Sequence, residues 1–185
     1  MRGRARPRLE LAGRGLIPDR RAAIWRRERD RIREFVETRC WSEERRTYAR
    51  AAGDEKVDAA LLLGVLAGYD DPRSERFRRT VDAVRAELGG GPFVHRYLAA
   101  DGLPGEEGAF VACSFWLAEA LARQDRLDEA TALMDELVPL ANDVGLYAEE
   151  IDPESGEFLG NFPQALSHLA LVNAATTIAA AGAGR

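Results

Sequence analysis

The sequence predicts an all-α fold in which helices that are apolar on every side alternate with helices that carry one charged face. The 185 residues are 46% hydrophobic and 31% charged, and the good helix formers Ala, Leu, Arg and Glu dominate. The alternation is typical of two layers, with inner helices covered by outer ones. A chain of this length can form one domain with a hydrophobic core.

The helices follow from hydrophobic periodicity along the chain. Segments with one apolar and one charged face are predicted as outer helices: 19–39, 73–88 and 126–141. Segments that are apolar nearly all round are predicted as inner helices: 57–68, 108–123 and 163–181. Residues 1–18 alternate Arg, Gly and Pro and form a ragged N-terminal segment, so the folded domain is predicted over 19–182.

Several helix starts have residues that suit a cap. Asp19 and Asp54 are predicted to cap the helices that follow them, and either Asp71 or Ser74 caps the helix through residue 88. Pro163 suits the first turn of the last helix, where its missing N–H costs nothing.

The loops between these helices are polar and partly aromatic. Gly89–Pro92 ends the preceding helix sharply, and Phe93–Tyr97 is short and extended in character. Gly145–Pro153 is not helical in character, although helices are predicted on both sides of it. This loop holds two adjacent carboxylates, and a loop held by a rigid scaffold is a common place for a catalytic group.

Charge and cysteine content narrow the function classes. The net charge is -5, but residues 1–50 carry +8 and the remainder -13. The basic residues alternate with acids at helix-pairing distances, which favours a solvated helix over a nucleic-acid or membrane partner. Cys40 and Cys113 fit no metal-ligand pattern, so we expect reduced, buried thiols and neither metal nor cofactor. The apolar run 59–67 is too short to span a membrane, and without a secretory signal a cytoplasmic location is expected.

Four features contain residues that can carry chemistry. They are Arg96-Tyr97, Glu106-Glu107, Glu149-Glu150, and the group Asn161, Gln164 and His168. No glycine-rich phosphate loop, serine nucleophile turn or Cys/His pair stands out.

Each feature also has a plain structural explanation. From spacing alone, Glu149 and Glu150 are more simply two solvated loop acids, although a carboxylate in a cleft can activate water. Glu106-Glu107 can interact with a helix N-terminus as readily as with a ligand. Arg96 can bind a polyol or pair with an acid, and His168 on an apolar helix is more often a satisfied core residue.

Longer motifs decide between these alternatives. The runs Phe93-Val-His-Arg-Tyr97, Gly145-Leu-Tyr-Ala-Glu-Glu-Ile-Asp-Pro153 and Gly160-Asn-Phe-Pro-Gln164, with the segment 101–121, resemble glycoside hydrolase family 15 in order and spacing. That family includes glucoamylases, glucodextranases and bacterial trehalases. The resemblance covers roughly residues 10–180.

The resemblance implies an (α/α)6 barrel and the inverting hydrolysis of an α-glucoside or trehalose-type carbohydrate. It implies that Glu149 is the general base, because Glu149 matches the first Glu of the family's Ala-Glu-Glu motif. It also implies substrate binding by residues that line the cleft: Arg96, Tyr97, Glu107, Phe110 and Glu150.

One departure from the family is large. The general acid of such enzymes lies in an earlier Trp-Glu motif, but none of Trp25, Trp41 and Trp116 precedes a Glu. We therefore expect the C-terminal half of the barrel, truncated and inactive alone, which self-associates or pairs with a missing N-terminal half. The alternative is a tetratricopeptide-like interaction module, because 118–130 resembles the turn of such a repeat. No second copy follows at the required spacing of about 34 residues.

Overall fold

The predicted alternation of inner and outer helices is present. The structure, a computed structural model, describes residues 11, 13–98 and 108–184. The outer helices are α1 (Asp19–Arg39), α3 (Glu75–Leu88) and α5 (Leu127–Leu137). The inner helices are α2 (Leu62–Leu66), α4 (Val111–Arg123) and α6 (Ala165–Gly182). Short 3-10 turns precede α2 and follow α5, at Ala59–Leu61 and Val138–Leu140.

Helix α4 is the centre of the hydrophobic core. It packs against α2, α3, α5 and α6, and nearly every residue from Val111 to Ala122 is buried. Its sequence is rich in Ala and Leu, and its one acid, Glu119, is buried but paired with Arg123 at 2.6 Å. Fully burying a large apolar side chain such as that of Phe115 contributes about 1.5–3 kcal/mol, so α4 anchors the fold.

The outer helices bury one stripe each, as their periodicity predicts. In α3 the stripe is Phe77, Val81, Val84 and Leu88, and in α5 it is Ala130, Leu133, Met134 and Leu137. Helix α3 lies against α2 and α4, and α5 lies against α4 and α6. Each of these two outer helices therefore covers the groove between two inner helices.

One of the predicted helix caps is confirmed and two are wrong. Ser74 caps α3, since its hydroxyl accepts a hydrogen bond from Phe77 N–H at 3.4 Å. Asp19 is the first residue of α1 and not its cap. Asp54 does not cap a helix either, because its carboxylate accepts from Lys56 N–H at 2.9 Å and pairs with Arg50.

The remaining cap predictions and helix bounds shift by a few residues. Asp58, instead of Asp54, caps the segment that contains α2, by accepting from Ala60 N–H at 2.6 Å. Gln164 caps α6, and Pro163 lies before the helix and not in its first turn. The predicted helix over 108–123 begins later, at Val111, because Ala109–Phe110 pairs as a strand.

Short antiparallel strands connect the helices. β1 (Trp41–Ser42) pairs with β2 (Thr47–Tyr48), and β3 (Gly89–Gly90) pairs with β4 (Phe93–Val94). A three-stranded sheet has the order β5 (Ala109–Phe110), β6 (Glu150–Ile151) and β7 (Phe158–Leu159). This sheet joins the loop before α4 to the loop before α6.

Helix α1 is attached to the body mainly by polar groups near its C-terminus. The Glu37 carboxylate accepts from the hydroxyls of Tyr48 and Tyr69 at 3.0–3.1 Å and pairs with Arg76 at 2.6 Å. Burial raises the pKa of Tyr48 to about 12, so this hydroxyl remains a donor over the physiological range. By contrast, Ala22 is the one residue of α1 that is fully buried.

Two helix faces expose large apolar side chains. On α6 this face is formed by Leu166, Leu169 and Val172, and on α1 by Ile24, Ile32 and Phe35. We call these two faces together the seam. Residues 165–182 include no Asp, Glu, Lys or Arg. By length and composition alone α6 could also cross a membrane, a test that core helices of soluble proteins pass as well. The expectation drawn from the run 59–67 had overlooked this longer apolar segment.

Candidate active site

The loop between α5 and α6 holds the backbone around Glu149 at several points. Tyr147 N–H donates to His168 Nε2 at 3.4 Å, and its carbonyl accepts from Gln164 N–H at 2.9 Å. The Ala148 carbonyl accepts from the buried hydroxyl of Ser167 at 2.8 Å. The first turns of α6 therefore determine where the loop lies.

Helix α4 and the β6–β7 hairpin hold Glu149 itself. Its carbonyl accepts from Val111 N–H at 3.1 Å, and its N–H donates to the Asn161 carbonyl at 2.9 Å. The first residue of α4 thus contacts the same loop that α6 anchors. A carboxylate mounted this way has little freedom to move, as a catalytic group requires.

The Glu149 carboxylate accepts two hydrogen bonds on one oxygen. Both come from Asn161: the backbone N–H lies 3.1 Å and Nδ2 lies 2.9 Å from Oε2. Within the described part of the chain, no donor contacts the other oxygen, Oε1. The side chain is half-buried, so one oxygen is held and the other can accept a proton from water.

Glu150 has a different partner from its neighbour. Its Oε2 accepts from Gly108 N–H at 3.1 Å, and its Cα lies opposite Phe110 in the sheet. A Cβ at position 108 would lie 3.0 Å from the Ile151 carbonyl oxygen, so this close approach requires glycine. Glu150 therefore fixes the segment that enters α4, and its predicted contact with substrate stays a prediction.

The predicted sugar-binding residues lie beside this sheet. The exposed guanidinium of Arg96 is 5.8 Å from the centre of the Phe110 ring and 5.7 Å from that of Tyr97, within the range of a cation–π contact. The Arg96 carbonyl accepts from Ala59 N–H at 2.9 Å, at the start of the segment that contains α2. Three predicted site residues thus lie together, since Arg96 is near the rings of Tyr97 and Phe110. Phe110 in turn pairs in the sheet with Glu150, the residue after Glu149. Glu107 lies outside the described residues.

Other residues with possible chemistry have structural roles. Both ring nitrogens of His168 are hydrogen-bonded, to Tyr147 N–H and to the Gln164 carbonyl, which confirms the core interpretation. Burial raises the pKa of the Cys113 thiol to about 12, so it is not a nucleophile. Cys40 is only half-buried, so the prediction of two buried thiols was wrong for this residue.

Comparison with known proteins identifies the family of the chain. The model of the family Glycosyl hydrolases family 15 matches residues 14–176. The chain belongs to this family.

Curated relatives within the family are trehalases. The chain is 47% identical to the trehalase of Mycobacterium tuberculosis over 133 residues, which are 70% of this chain and 20% of that protein. It is 39% identical to the trehalase of Thermoplasma acidophilum over 152 residues, 82% of this chain and 26% of that protein. It is 43% identical to that of Mycolicibacterium smegmatis, with 83% and 23% covered. The chain thus spans about a quarter or less of these relatives.

Solved structures show the same fold. A wild-type glycosidase superimposes with a TM-score of 0.74 at 22% identity, covering 85% of this chain and 45% of that one. A variant glycosidase in complex with glucose gives the same TM-score at 20% identity and the same coverage. The half-barrel of alternating helices is therefore the family 15 fold, over somewhat less than half of those chains. The tetratricopeptide alternative receives no support.

Sequence reasoning did not assign Asn161 and Gly160 to the site. The motif at 160–164 had been singled out, and Asn161 counted among the residues able to carry chemistry. The sequence does not show that Asn161 donates a hydrogen bond to Glu149, 12 residues earlier in the chain. This contact depends on the register of the β6–β7 hairpin.

Proposed function

We propose that this chain supplies the general base of an inverting α-glucosidase of the trehalase type, and that the base is Glu149. The observation that carries the proposal is its carboxylate, which Asn161 holds through Oε2 and which has no donor on Oε1 among the described residues. The trehalases among the relatives support trehalose, or a similar α-glucoside, as the substrate. Family membership alone does not require this assignment, because the chain spans only part of each relative.

In this reaction Glu149 removes a proton from a water molecule while the water oxygen attacks the anomeric carbon. A carboxylic acid on the other face of the sugar protonates the departing oxygen. The two carboxyl groups of an inverting enzyme lie roughly 6.5–9.5 Å apart, which leaves room for the water. Arg96 can donate hydrogen bonds to sugar hydroxyls, and the Phe110 ring offers an apolar face to the sugar ring.

The general acid comes, in this proposal, from a segment outside these 185 residues. No Trp-Glu motif of the kind that carries the acid occurs in the sequence. The chain therefore supplies one of the two catalytic carboxylates, and we expect the isolated chain to be nearly inactive.

The partner that completes the site is an N-terminal half-barrel of the same family, which covers the seam. Outer helices α3 and α5 each cover two inner helices, whereas α1 is held through Glu37 by Tyr48, Tyr69 and Arg76 and has an exposed apolar face. Inner helix α6 exposes Leu166, Leu169 and Val172 without a charged residue nearby on the helix. Such a continuous apolar face marks an interaction surface. Self-association through the same seam is the second candidate.

A chimera tests the assignment of Glu149. This chain replaces the matching region of the Mycolicibacterium smegmatis trehalase, and the product is assayed on trehalose and maltose. We expect hydrolysis by the chimera and a loss of about 10²–10⁴-fold in Glu149→Gln, the usual contribution of a general base. Glu157→Gln, which changes an exposed acid of the same hairpin, is the matched control and should retain most of the activity. A Glu149→Gln chimera as active as its parent would overturn the assignment.

The isolated chain tests the missing acid. The purified protein is assayed on the same two sugars. Full activity without any partner would show that both carboxylates are present in these residues.

A further inference from the structure

We propose that Asn161 is the positioning residue of the catalytic base, and that Gly160 exists to let the two side chains meet. This deepens the proposed function and rests on it. Two donors of one residue converge on a single carboxylate oxygen, at 3.1 Å from N–H and 2.9 Å from Nδ2. Two donors on Oε2 fix the rotation of the carboxylate, which sets the direction of Oε1.

The glycine before Asn161 is required by the same carboxylate. Gly160 has φ of +71°, a conformation that residues with a Cβ rarely adopt. A Cβ there would lie 2.9 Å from Glu149 Oε2 and 3.1 Å from Glu149 Cβ, so any other residue would displace the side chain. Adjacent positions thus serve one carboxylate by independent means: one donates hydrogen bonds and the other leaves space.

Hairpin stability does not require the Asn161 side chain. The backbone bond from Glu149 N–H to the Asn161 carbonyl, at 2.9 Å, closes the hairpin whatever side chain follows. Asn161 is exposed, and a hydrogen bond between solvated groups adds little to folding stability. Its Nδ2 therefore acts chiefly on the orientation and charge of the carboxylate, because bonds to an ionised acceptor are short and strong.

Two substitutions separate this role from a space-filling one. Asn161→Ala removes the Nδ2 donor and keeps the backbone donor. Asn161→Asp has nearly the same shape, but it replaces the donor with a second negative oxygen beside Glu149. A positioning role predicts that the Asp variant is the weaker enzyme, whereas a space-filling role predicts that it resembles the parent.

The kinetic test uses the trehalase chimera described above. We expect kcat on trehalose to fall about 10- to 100-fold in Asn161→Ala and further in Asn161→Asp, with KM changed much less, because the contact acts on the water and not on the sugar. An Asn161→Asp chimera with parental kcat would overturn the proposal.

A second measurement needs no activity. In the 185-residue chain, the side-chain amide signals of Asn161 are compared by NMR between the parent and Glu149→Ala at one pH. We expect the Nδ2 protons of the parent to exchange slowly with water and to lie downfield, as hydrogen-bonded donors do, and both features to be lost in Glu149→Ala. If the two proteins give the same amide signals, the contact does not exist and the proposal fails. An inactive parental chimera would instead count against the proposed function.

Discussion

The exposed face of α6 gives the sharpest prediction about the partner, through the substitution Leu169→Asp. Leu169 is 61% exposed, more than Leu166 and Val172 on the same face of α6. Fully burying a Leu contributes about 1.5–3 kcal/mol, so covering the exposed part of Leu169 contributes about 1–2 kcal/mol. A carboxylate buried there without a partner costs at least as much again. Together these lower the affinity for a half-barrel partner by about 30-fold or more.

The assay is titration calorimetry. This chain is titrated with the N-terminal half of the Mycolicibacterium smegmatis trehalase, and the recovered trehalose hydrolysis is measured on the same samples. Val138→Asp is the matched control, because Val138 is 50% exposed but lies in the turn after outer helix α5, away from the seam. Neither substitution should lower the melting temperature of the isolated chain by more than a few degrees, since both side chains face solvent.

Two results would refute this reasoning. If Leu169→Asp and Val138→Asp bind the half-barrel with equal affinity, the seam is not the contact surface. If light scattering shows a dimer of the isolated chain that Leu169→Asp converts to a monomer, a second copy covers the seam and the choice of a half-barrel partner is wrong.

Three further predictions concern the stability and reactivity of the isolated chain. Hydrogen bonding to Arg126 holds the pKa of Glu129 at about 2, below its ordinary value of 4.5. The stability that this carboxyl contributes is therefore complete above pH 4.5 and is lost as the pH falls toward 2. The melting temperature of Glu129→Gln should depend less on acid pH than that of the parent. The buried Cys113 thiol should react with a disulfide reagent only at the rate of unfolding, and faster reaction would contradict its burial. Arg123→Met leaves the Glu119 carboxylate buried and should cost about 3 kcal/mol in urea unfolding, most of which Glu119→Leu restores in the double variant.

The arrangement of helices could be predicted because it depends on hydrophobic periodicity, which is local in sequence. The apolar stripe of α3 and the all-round burial of α4 follow directly from residue order. The first residue and the cap of each helix were harder to predict, because several acidic residues near a helix start can serve as the cap. Asp54 has the right type and position for a cap, but it is held in a local turn by Lys56 and Arg50, and Asp58 serves instead.

The site could be predicted only in part from the sequence. Spacing alone favoured two solvated acids at 149 and 150, and it was the family motifs that distinguished Glu149. The contact with Asn161 depends on hairpin register and on the positive φ of Gly160, which are properties of the folded chain. The cluster of Arg96 with Phe110 likewise depends on how β5 enters α4.

The site divides into a part that this chain fixes by itself and a part that it leaves open. The described residues that anchor the Glu149 loop are Ser167 and His168 on α6 and Val111 on α4. The guanidinium of Arg96 is exposed, and its described contacts are with aromatic faces alone. In the proposed enzyme, the orientation of Glu149 would therefore precede assembly, and the proposed partner would add the acid and enclose the sugar. It follows that the Glu149–Asn161 contact should be the same in the isolated chain and in the reconstituted enzyme, whereas the surroundings of Arg96 should change on pairing.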